Sequence, residues 1–484
     1  MSSSMRTWPE EPSTPRTCDL VPQRFAVQPP LARGHKVIDL APPDRSSEEW
    51  VQIGRLAEIG APKDIHLDLT LEHVLAIVGK RGSGKSFTLG SFLEGLCTQE
   101  KMTSINSITG KRAGLLFDTL NIFQWMVAPV NQKVGESRQI QEQAALLRRW
   151  KLDPVALGVD LWVPAGYESR VTPNARPFRI RTADMELADW AALLRVDAVQ
   201  DIIGQLLSQV FDKVTQRGWQ NEDGEDIAPT PDYAIADLVR CVREDPEIAD
   251  DFQSQTIRAL RQRLSSYEAS PLFGSTGTAL TELLQPGRLS VLLLSGVPDD
   301  VRLVAIFLTI RKLLFARAQA SEATKTIELG FAEDPEERAR VERVIAEAPP
   351  KTWVVVDEAQ NVFPSERQTS ASDILLRFVR EGRNFGLSLG FTTQQPSAID
   401  SRIMAQVDTI ICHTLTVQKD LQNVLSNLKA REPTRVQLRG TEVSLADAIR
   451  QLDVGQAFLS NSDAERSLFM DVRPRTSIHG GFES

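Results

Sequence analysis

A glycine-rich segment at residues 79–86, GKRGSGKS, has the composition and spacing of a phosphate-binding loop. Glycines let the backbone wrap closely around phosphate oxygens, so that N–H groups and the start of the following helix face the negative charge. In this pattern Lys85 reaches the β- and γ-phosphates, and the Ser86 hydroxyl coordinates Mg²⁺. We therefore predict ATP and Mg²⁺ as cofactors. The residues predicted to contact the nucleotide are Gly79, Lys80, Arg81, Gly82, Ser83, Gly84, Lys85, Ser86 and Phe87.

An acidic pair, Asp357 and Glu358, follows the apolar run at residues 353–356. Ligands of open parallel sheets bind at the carboxyl ends of the strands, so this pair is expected to face the phosphate loop. We predict that Asp357 holds Mg²⁺ through a water molecule. Glu358 is predicted to orient and polarise the water that attacks the γ-phosphate. The alternative is a strand that ends in two solvated acids, and the phosphate loop in the same chain disfavours it.

Three further polar residues complete the predicted catalytic set. Gln394 ends the apolar segment LSLGFTTQ, where its amide would lie beside the γ-phosphate and sense hydrolysis. The segment FVREGRNFG contains Arg380 and Arg383, and a guanidinium from a neighbouring subunit is suited to stabilise phosphoryl-transfer charge. A plain strand end before a proline turn and ordinary surface arginines are the alternatives. The predicted catalytic residues are Lys85, Asp357, Glu358, Gln394, Arg380 and Arg383.

The elements that must position these residues follow an α/β pattern. A buried strand at 74–79, the phosphate loop, a helix and a strand at 113–117 form a βαβ unit. We predict an α/β fold with a P-loop core built on a mostly parallel sheet flanked by helices. The predicted domains are a flexible N-terminal arm at 1–48, a short β entry segment at 49–73, the core at 74–135 and 283–475, a mainly helical insertion at 136–282 and a C-terminal tail at 476–484.

Composition narrows the function further. The chain has 55 Lys+Arg and 64 Asp+Glu, a formal net charge of −9. This balance argues against an outer surface coated by nucleic acid but permits a narrow basic channel. No NKxD motif is present, which disfavours a GTPase switch, and no signal peptide or membrane span is recognisable, so we predict a cytoplasmic protein without a membrane partner. The four cysteines form no CxxC pair and therefore predict no zinc or redox site: Cys18, Cys97, Cys241 and Cys412.

Four segments together resemble the HerA branch of the HerA–FtsK superfamily of ring-forming, DNA-pumping ATPases. They are GKRGSGKS, VVVDEAQNVFP, REGRNFG with the following TTQQPSAI, and the closing VRPRTSIHGG. The resemblance covers the chain from about residue 50 to its end. It implies a RecA-like core, a hexamer with ATP sites between subunits, DNA in the pore and a docked nuclease or other effector. It also implies that Gln394 is the sensor and that Arg380 or Arg383 acts in the neighbouring site.

The chain departs from this family at its N-terminus. HerA-like proteins usually begin with a full β-barrel domain, and residues 49–73 could supply only a reduced, HAS-barrel-like version of it. Two functions therefore stay open. One is a translocase of double-stranded DNA, which could serve in anti-phage defence. The other is an ATP-dependent oligomeric scaffold that activates a partner enzyme without pumping DNA. For the translocase the candidate pore residues are Arg170, Arg176 and Arg181, with Arg148 and Arg149 as a weaker pair.

Overall fold

The structure is a computed structural model of the chain. It describes residues 25–26, 36–58, 62–97, 105–107, 111–130, 137–155, 157–168, 174–365, 370–429, 433–438 and 440–481.

The strands in this part of the chain are mostly short. They are β1 (Phe25–Ala26), β2 (Val37–Leu40), β3 (Trp50–Leu56), β4 (Asp64–Asp68), β5 (Val74–Val78), β6 (Ala113–Asp118), β7 (Val159–Pro164), β8 (Arg176–Phe178), β9 (Ile180–Arg181), β10 (Trp219–Gln220), β11 (Asp226–Ile227), β12 (Phe273–Gly274), β13 (Leu289–Leu293), β14 (Thr352–Val356), β15 (Leu387–Thr393), β16 (Thr409–Cys412), β17 (Arg435–Leu438), β18 (Thr441–Ser444), β19 (Gln456–Asn461) and β20 (Arg466–Val472).

The helices differ widely in length. They are α1 (Lys85–Leu96), α2 (Arg138–Trp150), α3 (Leu187–Leu194), α4 (Ile202–Asp212), α5 (Ile235–Glu244), α6 (Pro246–Asp251), α7 (Ser254–Glu268), α8 (Leu280–Leu283), α9 (Asp299–Glu328), α10 (Pro335–Glu347), α11 (Ser370–Glu381), α12 (Ser401–Met404), α13 (Gln418–Ser426) and α14 (Leu445–Arg450). None of the helices in the described ranges is long and apolar enough to cross a lipid bilayer.

A 13-stranded sheet organises the fold, in the order β2-β4-β3-β20-β19-β16-β5-β15-β14-β6-β13-β7-β8. Neighbouring strands are parallel from β16 to β8, whereas the run from β16 through β19, β20 and β3 to β4 is antiparallel. The predicted α/β fold with a mostly parallel sheet flanked by helices is confirmed. The terminal hairpin formed by β19 and β20 closes the parallel part.

Strand β5 shows why the apolar runs in the sequence are continuous. Val74, Ala76 and Val78 belong to one buried cluster, while Leu75 and Ile77 belong to the cluster on the other face of the sheet. A strand covered on both faces has no position at which a polar side chain would reach water. The run therefore lacks alternation, and it ends where the chain emerges at the sheet edge that carries the phosphate loop.

The predicted N-terminal arm was wrong in its boundary. Strand β2 lies at the edge of the sheet, parallel to β4, and the backbone N–H of Ser47 donates to Asp39 at 2.9 Å. Arg45 donates to buried Asp68 at 2.9 Å. Residues 36–48 are therefore packed against the sheet. The sequence did not predict this because the residues before them are low in apolar side chains. Residues 1–24 and 27–35 of the predicted arm lie outside the described residues.

The predicted helical insertion at 136–282 was too wide. Helices α2 to α8 do lie in this range, but β7 pairs in parallel with β13, Leu289 opposite Val159, and thereby belongs to the central sheet. Strand β8 extends the sheet beyond β7. The pairing joins segments separated by more than a hundred residues, so local periodicity could not reveal it.

The described part of the predicted C-terminal tail at 476–484 packs against the core. Thr476 and Ser477 are buried, and their backbone N–H groups both donate to the carboxylate of Glu94 on α1, each at 2.9 Å. The C-terminal segment is therefore bound to the helix that follows the phosphate loop.

Candidate functional site

The phosphate loop follows β5 and is hydrogen-bonded to the ends of the two strands that flank β5 in the sheet. The N–H of Gly79 donates to the carbonyl of Thr393 at the end of β15, at 3.3 Å, and the N–H of Lys80 donates to that of Thr414 after β16, at 2.8 Å. A Cβ at Gly79 would lie 2.6 Å from Ser83 Oγ, and Gly84 has a φ of 106°. Glycine is required at both positions, in the first for space and in the second for conformation.

Lys85 lies where its charge can meet a phosphate. It is the first residue of α1 and is buried, and its Nζ donates to the carbonyl of Lys80 at 3.0 Å. Burial lowers the pKa of Lys85, against the opposing effects of Glu358 and Asp357. Strand β15 pairs in parallel with both β5 and β14, so the loop after β5 and the acidic pair after β14 lie at the same ends of adjacent strands and share one site. Lys80 and Arg81 are exposed beside it.

His413 supports the loop from below, and sequence reasoning missed it. Its Nδ1 donates to the carbonyl of Gln456 at 2.9 Å, so Nε2 accepts from the Thr88 hydroxyl at 2.8 Å. Burial lowers the pKa of His413 to about 4, which keeps the ring neutral beside the loop. The segment DTIICHT predicted only a buried strand, and nothing in it indicated a contact with α1.

Asp357 directly follows β14, and one of its carboxylate oxygens has a hydrogen-bond partner while the other has none. Oδ1 accepts from the Thr392 hydroxyl at 2.5 Å, whereas buried Oδ2 has no hydrogen-bond partner among the described residues. Burial and then the charge of Asp118 raise the pKa of Asp357 to about 7. A buried carboxylate oxygen without a partner is an oxygen donor of the kind that Mg²⁺ prefers, so Asp357 fits the predicted ion. No cluster of three or more His, Cys, Asp or Glu suited to a metal occurs in the described residues.

Asp118 is the last residue of β6. Its carboxylate accepts backbone N–H groups of Leu120, Ile122 and Phe123 at 2.8–3.3 Å. These bonds fix the loop after β6 beside the site. Burial nevertheless raises the pKa of Asp118 to about 6, so two carboxyls with raised pKa values lie side by side.

Glu358 is held in an unusual conformation. Its backbone is left-handed, with φ 54° and ψ 54°, and its N–H donates to the Thr392 hydroxyl at 3.1 Å. Its carboxylate accepts from Gln394 Nε2 at 2.6 Å and from Gln360 Nε2 at 2.6 Å. The structure thus brings Gln394 to Glu358, and it adds Gln360, a residue that the sequence analysis did not single out.

The two predicted arginines lie elsewhere. Arg383 precedes β15 and is ion-paired with Asp408, whose carboxylate also accepts the N–H of Val74 at the start of β5, at 2.9 Å. Val74 and Asp408 lie at the amino ends of the parallel strands, whereas the site lies at their carboxyl ends. The two are roughly 20 Å apart along a seven-residue strand. Arg380 is exposed at the end of α11. Within one chain neither arginine reaches the phosphate loop.

The raised pKa values of Asp118 and Asp357 predict how the stability of the protein depends on pH. Both pKa values are raised above 3.8, to about 6 and about 7, so the folded state binds more protons than the unfolded state between about pH 4 and pH 7. Stability without nucleotide or metal should therefore fall as pH rises through this window. Asp357→Asn should lose less stability between pH 5 and pH 8 than the wild type, measured by thermal unfolding in EDTA. Equal losses in the two proteins would contradict this.

A family model described as "Helicase HerA, central domain" matches residues 51–313, more than half of the chain. The chain belongs to the HerA central-domain family. A second model, described as zonular occludens toxin (Zot), matches residues 298–438. The HerA resemblance inferred from the motifs is confirmed, and the phosphate loop lies within the matched residues.

Curated HerA proteins match this HerA-family chain over part of their length. The DNA double-strand break repair helicase HerA of Pyrococcus furiosus is 24% identical over 270 residues, covering 51% of this chain and 47% of that protein. The HerA of Sulfurisphaera tokodaii is 23% identical over 175 residues, covering 36% and 31%. Among solved structures, the bacterial conjugative coupling protein TrwB is 11% identical with a TM-score of 0.48, covering 86% of this chain and 88% of that one. The matched segment thus spans under half the length of these curated relatives.

Proposed function

We propose that this protein hydrolyses ATP as a hexameric ring and uses the energy to translocate double-stranded DNA, together with a nuclease or another effector. The observation that carries the proposal is the convergence of Lys85, the Asp357–Glu358 pair and Gln394 at one edge of the sheet. The proposed setting is DNA processing or anti-phage defence in the cytoplasm.

The residues divide the chemistry among them. Residues 79–86 and the start of α1 would bind the phosphates with backbone N–H groups, and Lys85 would neutralise charge on the β- and γ-phosphates. Glu358 would accept a proton from the attacking water, which then bonds to the γ-phosphorus as the bond to ADP breaks. Gln394 donates to Glu358, and it would respond to the γ-phosphate by exchanging this contact for one with the phosphate.

Ser86 and Asp357 would hold Mg²⁺, the latter through a water molecule. When bound, the ion would neutralise charge on the phosphate oxygens. The unpartnered Oδ2 of Asp357 supports this assignment. Burial and the neighbouring Asp118 raise its pKa, and the opposing effect of Lys85 is smaller.

The position of the arginines supports a ring. Because Arg383 pairs with Asp408 beside the start of β5, away from the phosphate loop of its own chain, an arginine of this segment would act on the ATP site of a neighbouring subunit. Arg383 already neutralises Asp408, whereas Arg380 is exposed. We therefore assign the trans-acting role to Arg380 and a structural role to Arg383.

The structure gives less support to the arginines proposed to contact DNA than to the residues of the ATP site. Arg176 lies over the Trp162 ring, 5.5 Å from its centroid, and is 3.7 Å from Asp160. Arg181 pairs with Asp232 at 2.8 Å. Arg170 lies outside the described residues. A guanidinium that already has a carboxylate partner gains less from a DNA phosphate, so the pore contacts stay a proposal for the assembled ring.

The proposal predicts that double-stranded DNA stimulates ATP hydrolysis several-fold. Phosphate release would be measured with and without DNA at increasing salt, because contacts with DNA phosphates weaken steeply as salt rises. Heparin serves as the control for unspecific polyanion effects, and native mass spectrometry of the same sample gives the subunit count. A rate indifferent to DNA, with no DNA binding at low salt, would contradict translocation.

The alternative function is an ATP-dependent scaffold that activates a partner enzyme without pumping DNA. The net charge of −9 favours it, as does the N-terminal β segment, which extends the central sheet through β2, β3 and β4. A Glu358→Gln protein that binds ATP, forms rings and still fully activates its partner would support the scaffold.

A further inference from the structure

The carboxylate of Glu358 has an amide donor on each oxygen. Gln394 Nε2 donates to Oε1 and Gln360 Nε2 donates to Oε2, both at 2.6 Å. Hydrogen bonds to a charged acceptor at such distances are among the stronger ones in proteins. Glu358 is 5% exposed, so little water competes for these oxygens. The orientation of the proposed base is therefore set by two side chains, and one of them, Gln360, has no assigned role.

Gln360 is itself held in place by the end of β15. Its Oε1 accepts from the Thr393 hydroxyl at 2.8 Å, and the same hydroxyl oxygen accepts the N–H of Gln395 at 3.1 Å. Because a hydroxyl has one hydrogen and the N–H group of Gln395 cannot accept it, that hydrogen is directed to the Gln360 carbonyl. The contact fixes which end of the amide faces Glu358 and leaves its NH₂ group to donate.

Both donors to Glu358 thus depend on adjacent residues of one strand end. Gln394 contacts the carboxylate directly, and Thr393 acts through Gln360. The two arms are not equivalent, however. If Gln394 turns to the γ-phosphate, Oε1 loses its donor and becomes available to water, whereas Thr393 is buried and keeps Gln360 on Oε2. One oxygen would be released while the other stays anchored.

We propose that Gln360, oriented by Thr393, is the positioning residue that keeps the Glu358 carboxylate aimed at the attacking water. This inference rests on the proposed ATP hydrolysis. Gln360 acts only through Glu358, so its loss removes orientation of the base and leaves the phosphate contacts of residues 79–86 intact. The turnover number should therefore fall without a matching loss of nucleotide affinity.

The test uses the full chain with Gln360→Met, which keeps the side-chain length and removes the donor, and Thr393→Val, which removes the hydroxyl. Asn361→Ala, an exposed position in the same turn, is the matched control. We expect Gln360→Met to lower kcat by about 10- to 100-fold, with KM and the calorimetric affinity for ATPγS within about twofold of wild type. Thr393→Val should lower kcat in the same way, and the double variant should be no slower than Gln360→Met alone, because both act through one contact.

Three outcomes would overturn the inference. One is a kcat within about twofold of wild type in Gln360→Met while Glu358→Gln is inactive, which leaves the proposed function intact. Another is a parallel fall of kcat and ATPγS affinity, which indicates a structural role. The third is strictly additive losses in the double variant. If the wild-type protein hydrolyses no ATP, the proposed function fails first and is recognised by that result alone.

Discussion

Replacing Glu358 by glutamine should reduce ATP turnover by about 10²- to 10⁴-fold, the range typical for loss of a general base. The substitution keeps the size of the side chain and removes its ability to accept a proton. The contacts expected to bind the phosphates come from residues 79–86 and Lys85, so ATP affinity should be retained. Phosphate release at saturating ATP measures the first effect, and calorimetry with ATPγS measures the second.

The matched control is Glu347→Gln, the same chemical change at an exposed position on α10. It should leave turnover, affinity and stability unchanged. A Glu358→Gln protein that hydrolyses ATP at a rate near that of the wild type would show that another group activates the water. Loss of ATP binding together with turnover would instead show that Glu358 maintains the site, and either result would remove the proposed division of labour.

The parts of the site that the sequence predicted are those defined by local chain geometry. A phosphate loop is a continuous segment, and the apolar strand before residues 79–86 and the helix after them supply the context that identifies it. The acidic pair follows a five-residue apolar strand, and parallel strands end at one edge, which was enough to expect Asp357 and Glu358 beside the loop. Gln394 ends a neighbouring strand, and the same argument applied to it.

The parts that the sequence did not predict arise from contacts between distant segments. His413 and Thr88 are 325 residues apart, and Gln360 meets Thr393 across 33 residues. A glutamine in a turn and a histidine after a strand look like ordinary surface or core residues in the sequence. Only the order of the strands in the sheet brings each of them to its partner. The same limit applies to β7, whose place in the sheet depends on β13.

The C-terminal arginines are a further case, and they carry the second large expected effect. Arg473 and Arg475 are fully buried, and so is Glu94 on α1. Arg473 NH1 donates to the Glu94 carboxylate at 3.2 Å, and Arg475 Nε lies 3.7 Å from it. Burial lowers the pKa of Arg475 to about 10, yet both guanidinium groups stay charged at neutral pH. The carboxylate of Glu94 therefore faces two buried cations. It lies on α1, the helix that follows the phosphate loop.

Glu94→Gln should consequently lower the free energy of unfolding by about 3–5 kcal/mol, the usual result of leaving a buried charge without its partner. The amide keeps the shape of the side chain, so the loss reports the charge and the hydrogen bonds accepted by one carboxylate oxygen, and not a cavity. Glu142→Gln is the control, since Glu142 pairs with Arg138 on the surface at 2.9 Å and its loss should change stability by at most about 0.5 kcal/mol. Denaturant unfolding gives both values. Because α1 begins with Lys85, ATPγS affinity should fall in Glu94→Gln alone, and a variant as stable as Glu142→Gln would mean that the C-terminal segment does not hold this helix through charge.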